Sequence, residues 1–400
     1  MGDVLFARQP IFDRDQRILA FALTLGPTRS ASSVETSSVL VRAFSSIDLD
    51  AVLAGQPGHL TVNDAFIRSG TLAALPRDRM VYEIDANARI DETFLKQASL
   101  LASQGYSLLC TDAHPRAQLE ALLPFVKGVM VHIGERSIAE VASRLNRLPA
   151  GKHKIYATEV DTHEAFDLCS EMGFEAFRGP FLCRPRPVLG KTARADRATL
   201  LQVINAVHAR EVDLRAVQNI LRHDVGMSFR LLRIINSAYH GLARQVTSID
   251  HAVRLMGTRK LKQWVTVMSL ANLDDKPPAI FHTALTRAFM AEQLALQAGE
   301  NDVETFFLAG LFSTLDALLD RNLDEVVDSL PLSDELRRGL LHREGRLGEA
   351  LNCVIAQEQC ALLDAQFAPL DPWAVQDAYM DALHTASAIA SQATPLAIPA

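Results

Sequence analysis

Apolar positions in the first half of the chain come in short runs: His59 to Val62, Met80 to Ile84, Tyr106 to Cys110, Gly128 to Ile133, Lys154 to Val160 and Phe174 to Phe177. Helix-like segments separate them, giving a repeat of roughly 20–27 residues, about the length of one βα unit. The pattern predicts an alternating βα architecture. Ahead of it, Val4 to Gln9 and Arg17 to Leu25 predict two strands joined through Asp13-Arg14-Asp15-Gln16, an antiparallel hairpin. A modified (β/α) barrel accommodates both features.

Past residue 197 the strand-like runs give way to helices with visible punctuation and the prediction becomes all-α. Asp224 stands at the N-cap of an apolar helix running from Val225 to Ala238. Ser248 caps a short helix that Gly257 ends, and Thr258 caps the next. In that next helix Leu261, Trp264, Val265 and Met268 fall at i, i+3, i+4 and i+7, one core-facing stripe. Between the halves, Arg184-Pro185-Arg186-Pro187 and the polar run after it cannot continue a helix. The expected organisation is a barrel domain over 1–187, a linker over 188–197 and a helical domain over 198–400.

Composition agrees with two cores: 400 residues, 48% hydrophobic and 22% charged. A net charge of −7 gives no footprint for nucleic acid, which demands concentrated Lys and Arg. No run reaches the ~20 apolar residues that span a bilayer, and no leader-like segment opens the chain, so a cytoplasmic protein without membrane insertion is expected. The five cysteines are odd in number and lack CxxC spacing, which points to reduced thiols.

Chemistry on a barrel collects at the carboxyl ends of its strands. The residues that close the predicted runs are Asn63, Glu83, Asp112, His132 and Thr158. Two carboxylates beside an asparagine form an oxygen-donor set suited to Mg²⁺ or Mn²⁺, yet a thin one for holding a pair of ions. The alternative is that Glu83 and Asp112 are ordinary strand-end or N-cap acids.

A resemblance becomes specific at these residues. Ala7-Arg8-Gln9-Pro10-Ile11-Phe12-Asp13, Val62-Asn63, Val81-Tyr82-Glu83-Ile84 and Gly173 through Pro185 resemble, in order, the landmarks of EAL domains, which are cyclic di-GMP phosphodiesterases. Ile220 through Asp224, Leu231 through Ala238 and Ser248 through Gly257 are similar to the HDOD signature, with Asp224, Leu232, Asn236, Ser237, Ala252 and Gly257 as its marks. The pairing resembles bacterial EAL-HDOD signalling proteins. The remnant pocket that the resemblance implies comprises Gln9, Asn63, Glu83 and Asp112.

The departures from the family pattern fall on its chemistry. The metal-binding Glu of the second strand falls on Ala22, and an Arg that helps hold a dinucleotide phosphate falls on Gly26. The acid after Glu83 falls on Ala86, and the first of the tandem aspartates on Thr111. The strand that carries a catalytic Lys reads Met130-Val131-His132, and a late metal-binding Glu falls on Thr158 unless the register slips by one to Glu159. In the helical half, Ser313 and Thr314 stand where related HD phosphohydrolases carry their His-Asp pair. His282 alone cannot hold a metal. Asn236 and Ser237 read as buried hydrogen-bonding groups rather than nucleophiles.

These readings predict no catalytic residue, no bound metal and no cofactor. The expected function is a catalytically inactive signal-transduction adaptor that binds other signalling proteins in a cyclic di-GMP-related pathway controlling motility, biofilm or two-component signalling. A cyclic di-GMP receptor without hydrolysis and a residual phosphodiesterase are the alternatives. A homodimer is what the family resemblance implies.

Overall fold

The computed structural model describes residues 4–28, 49–148, 153–186, 195–208, 249–271, 273 and 275–393. They form two compact units: Met1–Leu182 with Ala356–Asp364, and Cys183–Ile355 with Ala365–Ala400. The division falls at Leu182, and the first unit takes in a later segment that contiguous domains would not include.

In the first unit β1 (Val4–Phe12) and β2 (Ile18–Thr28) make the expected hairpin. Asp13 builds its turn: its carbonyl accepts from the Gln16 N–H at 3.0 Å and its carboxylate from the Arg17 N–H at 2.8 Å. Gln16 takes the left-handed conformation, φ 60°, that the turn requires. There follow α1 (Leu49–Leu53), β3 (Gly58–Val62), α2 (Asp64–Arg68), β4 (Met80–Ile84), α3 (Glu92–Ser103), β5 (Ser107–Thr111), α4 (Arg116–Leu122), β6 (Gly128–His132), α5 (Ile138–Leu145), β7 (Lys154–Thr158), α6 (His163–Glu171) and β8 (Ala176–Arg178). Side chains at the N-caps set where several of these helices begin. Asn63, Asp91 and Thr162 each accept a backbone N–H three residues on, and Ser137 forms a reciprocal capping box with Glu140.

The eight strands close in chain order, with β1 antiparallel to both β2 and β8 and all other pairs parallel. Register then fixes which side chains face the lumen, because strand residues alternate faces. Thr61 lies beside Glu83, Thr111 beside Met130, Met130 beside Tyr156, Thr158 beside Arg178, and Arg178 beside Ile11. One part of the lumen is apolar and small: Ile11, Ala20, Ala22 and Ala176, with Tyr156 packed against them. On the outer side Phe166 stacks on Phe181 (centroids 4.7 Å, 12°) and leans on Phe177 at 4.5 Å, cementing α6 to β8.

The second unit is helical: α7 (Ala195–His208), α8 (Ile249–Ala271), α9 (Pro278–Ala298), α10 (Val303–Phe312), α11 (Leu315–Leu319), α12 (Leu323–Asp328), α13 (Asp334–His342), α14 (Gly345–Glu358), whose residues from Ala356 on belong to the first unit, and α15 (Pro372–Ala393). α9 packs against α10 and α15, and it is apolar on most faces as a central helix must be. It starts at a proline and ends at Gly299 in the left-handed region, φ 76°. Among the described residues no helix is long and apolar enough to cross a membrane.

Several details differ from the sequence-based expectation. β1 runs on to Phe12, and β8 starts at Ala176 rather than Phe174. Residues 195–197, expected in the linker, form the first turn of α7. Gly257 does interrupt the helical run, with φ 75°, as expected of a chain terminator. The stripe through Trp264, Val265 and Met268 is part of a helix segment buried on its polar side too, since Gln263, Thr266 and Ser269 are also covered. Asp224, Leu232, Asn236, Ser237 and the Ser248 cap lie outside the described residues, while Ala252 lies within α8.

Gly179, just after β8, abuts the Val160 backbone so closely that a Cβ there would stand 2.0 Å from the Val160 carbonyl oxygen. Backbone cannot yield as a flexible side chain can. Gly179→Ala is expected to destabilise the barrel by ~2 kcal/mol or more, read from the urea midpoint at unchanged slope. A midpoint equal to that of the parent chain would contradict this close backbone approach.

Candidate functional site

The carboxyl ends of the strands gather around Glu83. It faces the lumen from β4, is 2% exposed, and therefore needs compensation for its charge. Three side chains supply it. His59, two residues before Thr61 on the same face of β3, hydrogen-bonds Oε1 through Nδ1 at 2.9 Å. The Thr61 hydroxyl donates to Oε2 at 3.3 Å. From the far end of the barrel sequence, on β8, the Arg178 guanidinium lies 3.3 Å from Oε1 and 3.2 Å from Oε2 through one nitrogen. Burial by itself would raise the Glu83 pKa. The charge of Arg178 and the bond and charge of His59 outweigh it and hold the group at about 2.

Two of the other expected donors, Asn63 and Asp112, are committed elsewhere, while Gln9 keeps a lumenal register. The Asn63 side chain is the N-cap of α2, accepting from Phe66 at 3.0 Å. Asp112 follows β5 on the side opposite to lumen-facing Thr111, and its carboxylate pairs with Arg144 of α5. Its Oδ1 is buried with no partner among the described residues. Gln9 lies on β1 beside Ala22 of β2. The remnant set of Gln9, Asn63, Glu83 and Asp112 is thus not brought together as one cluster of donors.

The positions read as lost are equally clear. Ala22 belongs to the small apolar packing of the lumen, Met130 is buried beside Thr111, and Ala86 is exposed in the turn after β4. Thr111 uses its hydroxyl to accept the Ala113 N–H at 3.2 Å. Thr158 keeps the lumen-facing register opposite His132, the two joined at 2.9 Å, while Glu159 stands past the strand at φ 60° on the rim. The register slip that would turn Glu159 inward does not occur. Among the described residues no three His, Cys, Asp or Glu side chains converge as a metal site. The donors present do not fit a divalent ion, because the one buried lumenal carboxylate among them already has a protein cation.

In the helical unit, Ser313 and Thr314 return their hydroxyls to the helix that precedes them, to the Gly310 carbonyl at 2.7 Å and the Leu311 carbonyl at 3.0 Å. Buried Arg287 of α9 donates to the Ser313 hydroxyl at 3.1 Å. His282 hydrogen-bonds the Ser387 hydroxyl at 3.2 Å across to α15, an arrangement that ties helices together.

Sequence reading passed over Arg178, His59, Thr61 and Arg144. A signal existed for two of them: His59 and Thr61 are polar at alternate positions of an otherwise apolar strand. Arg178 gives none locally, since its partner is 95 residues away.

The HDOD domain model matches residues 196–323. Over 95% of this chain and 97% of the relative, the sequence is 24% identical to the uncharacterized protein YuxH of Bacillus subtilis. It is 26% identical to the cyclic di-GMP phosphodiesterase CdgJ of Vibrio cholerae, over 86% of this chain and 83% of CdgJ. Among solved structures, the cyclic di-GMP complex of the phosphodiesterase PaMucR aligns with 46% of this chain and 98% of its own at 14% identity and a TM-score of 0.35.

A carboxylate whose folded pKa is depressed stabilises the fold above its unfolded pKa and loses that contribution as pH falls toward the folded one. For Glu83 the window runs from about 4.5 down to about 2. Over it the pair should lose up to ~3 kcal/mol. Denaturant unfolding from pH 7 to pH 2.5 is expected to fall more steeply for the parent chain than for Glu83→Gln. Parallel curves would show that the pair carries no such linkage.

Proposed function

We propose, starting from an architecture that joins an EAL-type barrel to an HDOD domain, that this protein is a catalytically silent signalling adaptor in a cyclic di-GMP-related pathway. It acts by binding other signalling proteins through the surfaces of its two modules, with a second copy of itself among the candidate partners. The observation that carries the reading is the pairing of Glu83 with Arg178 and His59 inside the lumen.

Metal-assisted phosphodiester hydrolysis draws its nucleophile and most of its charge stabilisation from the ions, so losing their ligands removes both at once. A guanidinium with 3.2 Å contacts to the remaining carboxylate holds the negative charge that would attract an ion, and it cannot generate hydroxide. Ala22, Thr111, Met130 and Thr158 add no donor charge around it. The helical module supports the same conclusion through Ser313 and Thr314, whose hydroxyls serve the backbone.

The competing reading is residual phosphodiesterase activity, and the name of CdgJ favours it. Purified full-length protein with cyclic di-GMP and millimolar Mg²⁺ or Mn²⁺ decides between them by chromatography of the products. The expected outcome is no linear dinucleotide above the protein-free control. Metal-dependent linearisation that disappears in Glu83→Gln would overturn the adaptor reading in favour of an enzyme.

A further inference from the structure

The barrel unit includes nine residues from far along the chain, Ala356–Asp364. Why they belong to it is visible residue by residue. Gln357, 2% exposed, donates through Nε2 to the Phe6 carbonyl at 2.8 Å. Phe6 lies beside the bulge where β1 and β2 shift register, the place where ladder bonding is interrupted. Burial pushes the Cys360 thiol pKa up, with the Thr24 side chain and the Arg178 charge acting in the opposite direction. Leu362 lies over Gly26, where a Cβ would come within 2.8 Å of its Cδ1.

The segment is also internally braced. As α14 ends, the Ala361 N–H bonds the Ala356 carbonyl at 2.8 Å and the Cys360 N–H bonds the Gln357 carbonyl at 3.2 Å, with Cys360 left-handed at φ 63°. That is the Schellman pattern of a helix C-terminus, whose left-handed position normally takes glycine. A cysteine there accepts backbone strain that a glycine would not. Its side chain is turned to Thr24 and toward the Arg178 charge.

We propose that Ala356–Asp364 is an intramolecular occupant of the barrel mouth on its β1–β2–β8 side, an autoinhibitory contact that a nucleotide ligand must displace. Gly26 is central to it. A larger residue at position 26 claims the volume of Leu362, and an arginine there, which the family resemblance associates with a dinucleotide phosphate, would project into the same space. The absence of a side chain at position 26 is what leaves room for Leu362. The part of the proposal that concerns cyclic di-GMP rests on the reading of this mouth as a remnant dinucleotide pocket.

The test uses the full-length chain. Cys360 alkylation, localised by mass spectrometry, reports whether the segment is seated, and calorimetry with cyclic di-GMP reports whether the mouth is accessible. Gly26→Arg should speed Cys360 alkylation at least tenfold by expelling Leu362. Gln357→Ala, which removes an anchor without adding bulk, should do so in a chain that remains folded by circular dichroism. In Gln357→Ala the dinucleotide should bind at least tenfold tighter than in the parent. Faster alkylation in both variants with no dinucleotide binding in any chain would keep the seated segment and refute the remnant pocket. Unchanged alkylation in both variants, or parent binding as tight as that of Gln357→Ala, would overturn the proposal.

Discussion

A carboxylate buried in a barrel lumen must either take up a proton or find a cation. Glu83 is placed there by β4, its neighbours on β3 and β5 are fixed by register, and the charge cannot be left unpaired without a cost of several kcal/mol. A divalent ion is one solution. In this protein the fold supplies another: Arg178, on the strand that closes the barrel, with His59 as a second partner. The pair therefore does two things. It makes the carboxylate tolerable, and it joins the last strand, β8, which pairs with β1 of the hairpin, to the fourth across the lumen.

The helical unit shows a related arrangement. Ser313 and Thr314 hold helical carbonyls, and a guanidinium, Arg287, approaches Ser313 from α9. Both modules have an arginine beside the position where the family resemblance leads one to expect metal chemistry. A guanidinium is planar, permanently charged and a multiple donor, so it can satisfy several acceptors with no change of protonation. It holds structure and offers no route to an activated water.

Much of the frame was legible in the sequence because its signals are local. Strand runs at βα spacing located β3 to β7 within one or two residues at most ends, Asp13 marked the hairpin turn, and Gly257 marked the helix break. The misses have non-local causes. Nothing near Arg178 reveals a partner 95 residues away, and nothing between Gln357 and Leu362 suggests that this segment belongs to the barrel. Asp112 closes a strand run and is expected in the pocket on that ground as well as by resemblance, and one step of strand alternation sends it to Arg144 instead. Small residues at positions 22 and 26 stand in the sequence where the resemblance leads one to expect a Glu and an Arg. What fills the space they leave was not legible there, because it depends on which distant side chains arrive.

The most direct measurement of the central claim is a carbon-detected NMR titration of the Glu83 carboxyl, with and without Mg²⁺. The Arg178 pairing predicts a midpoint near 2 and a resonance that Mg²⁺ leaves in place. A midpoint in the ordinary carboxylate range, or a resonance that moves when Mg²⁺ is added, would mean that Glu83 is available to an ion and that Arg178 does not take the place of a metal in this barrel.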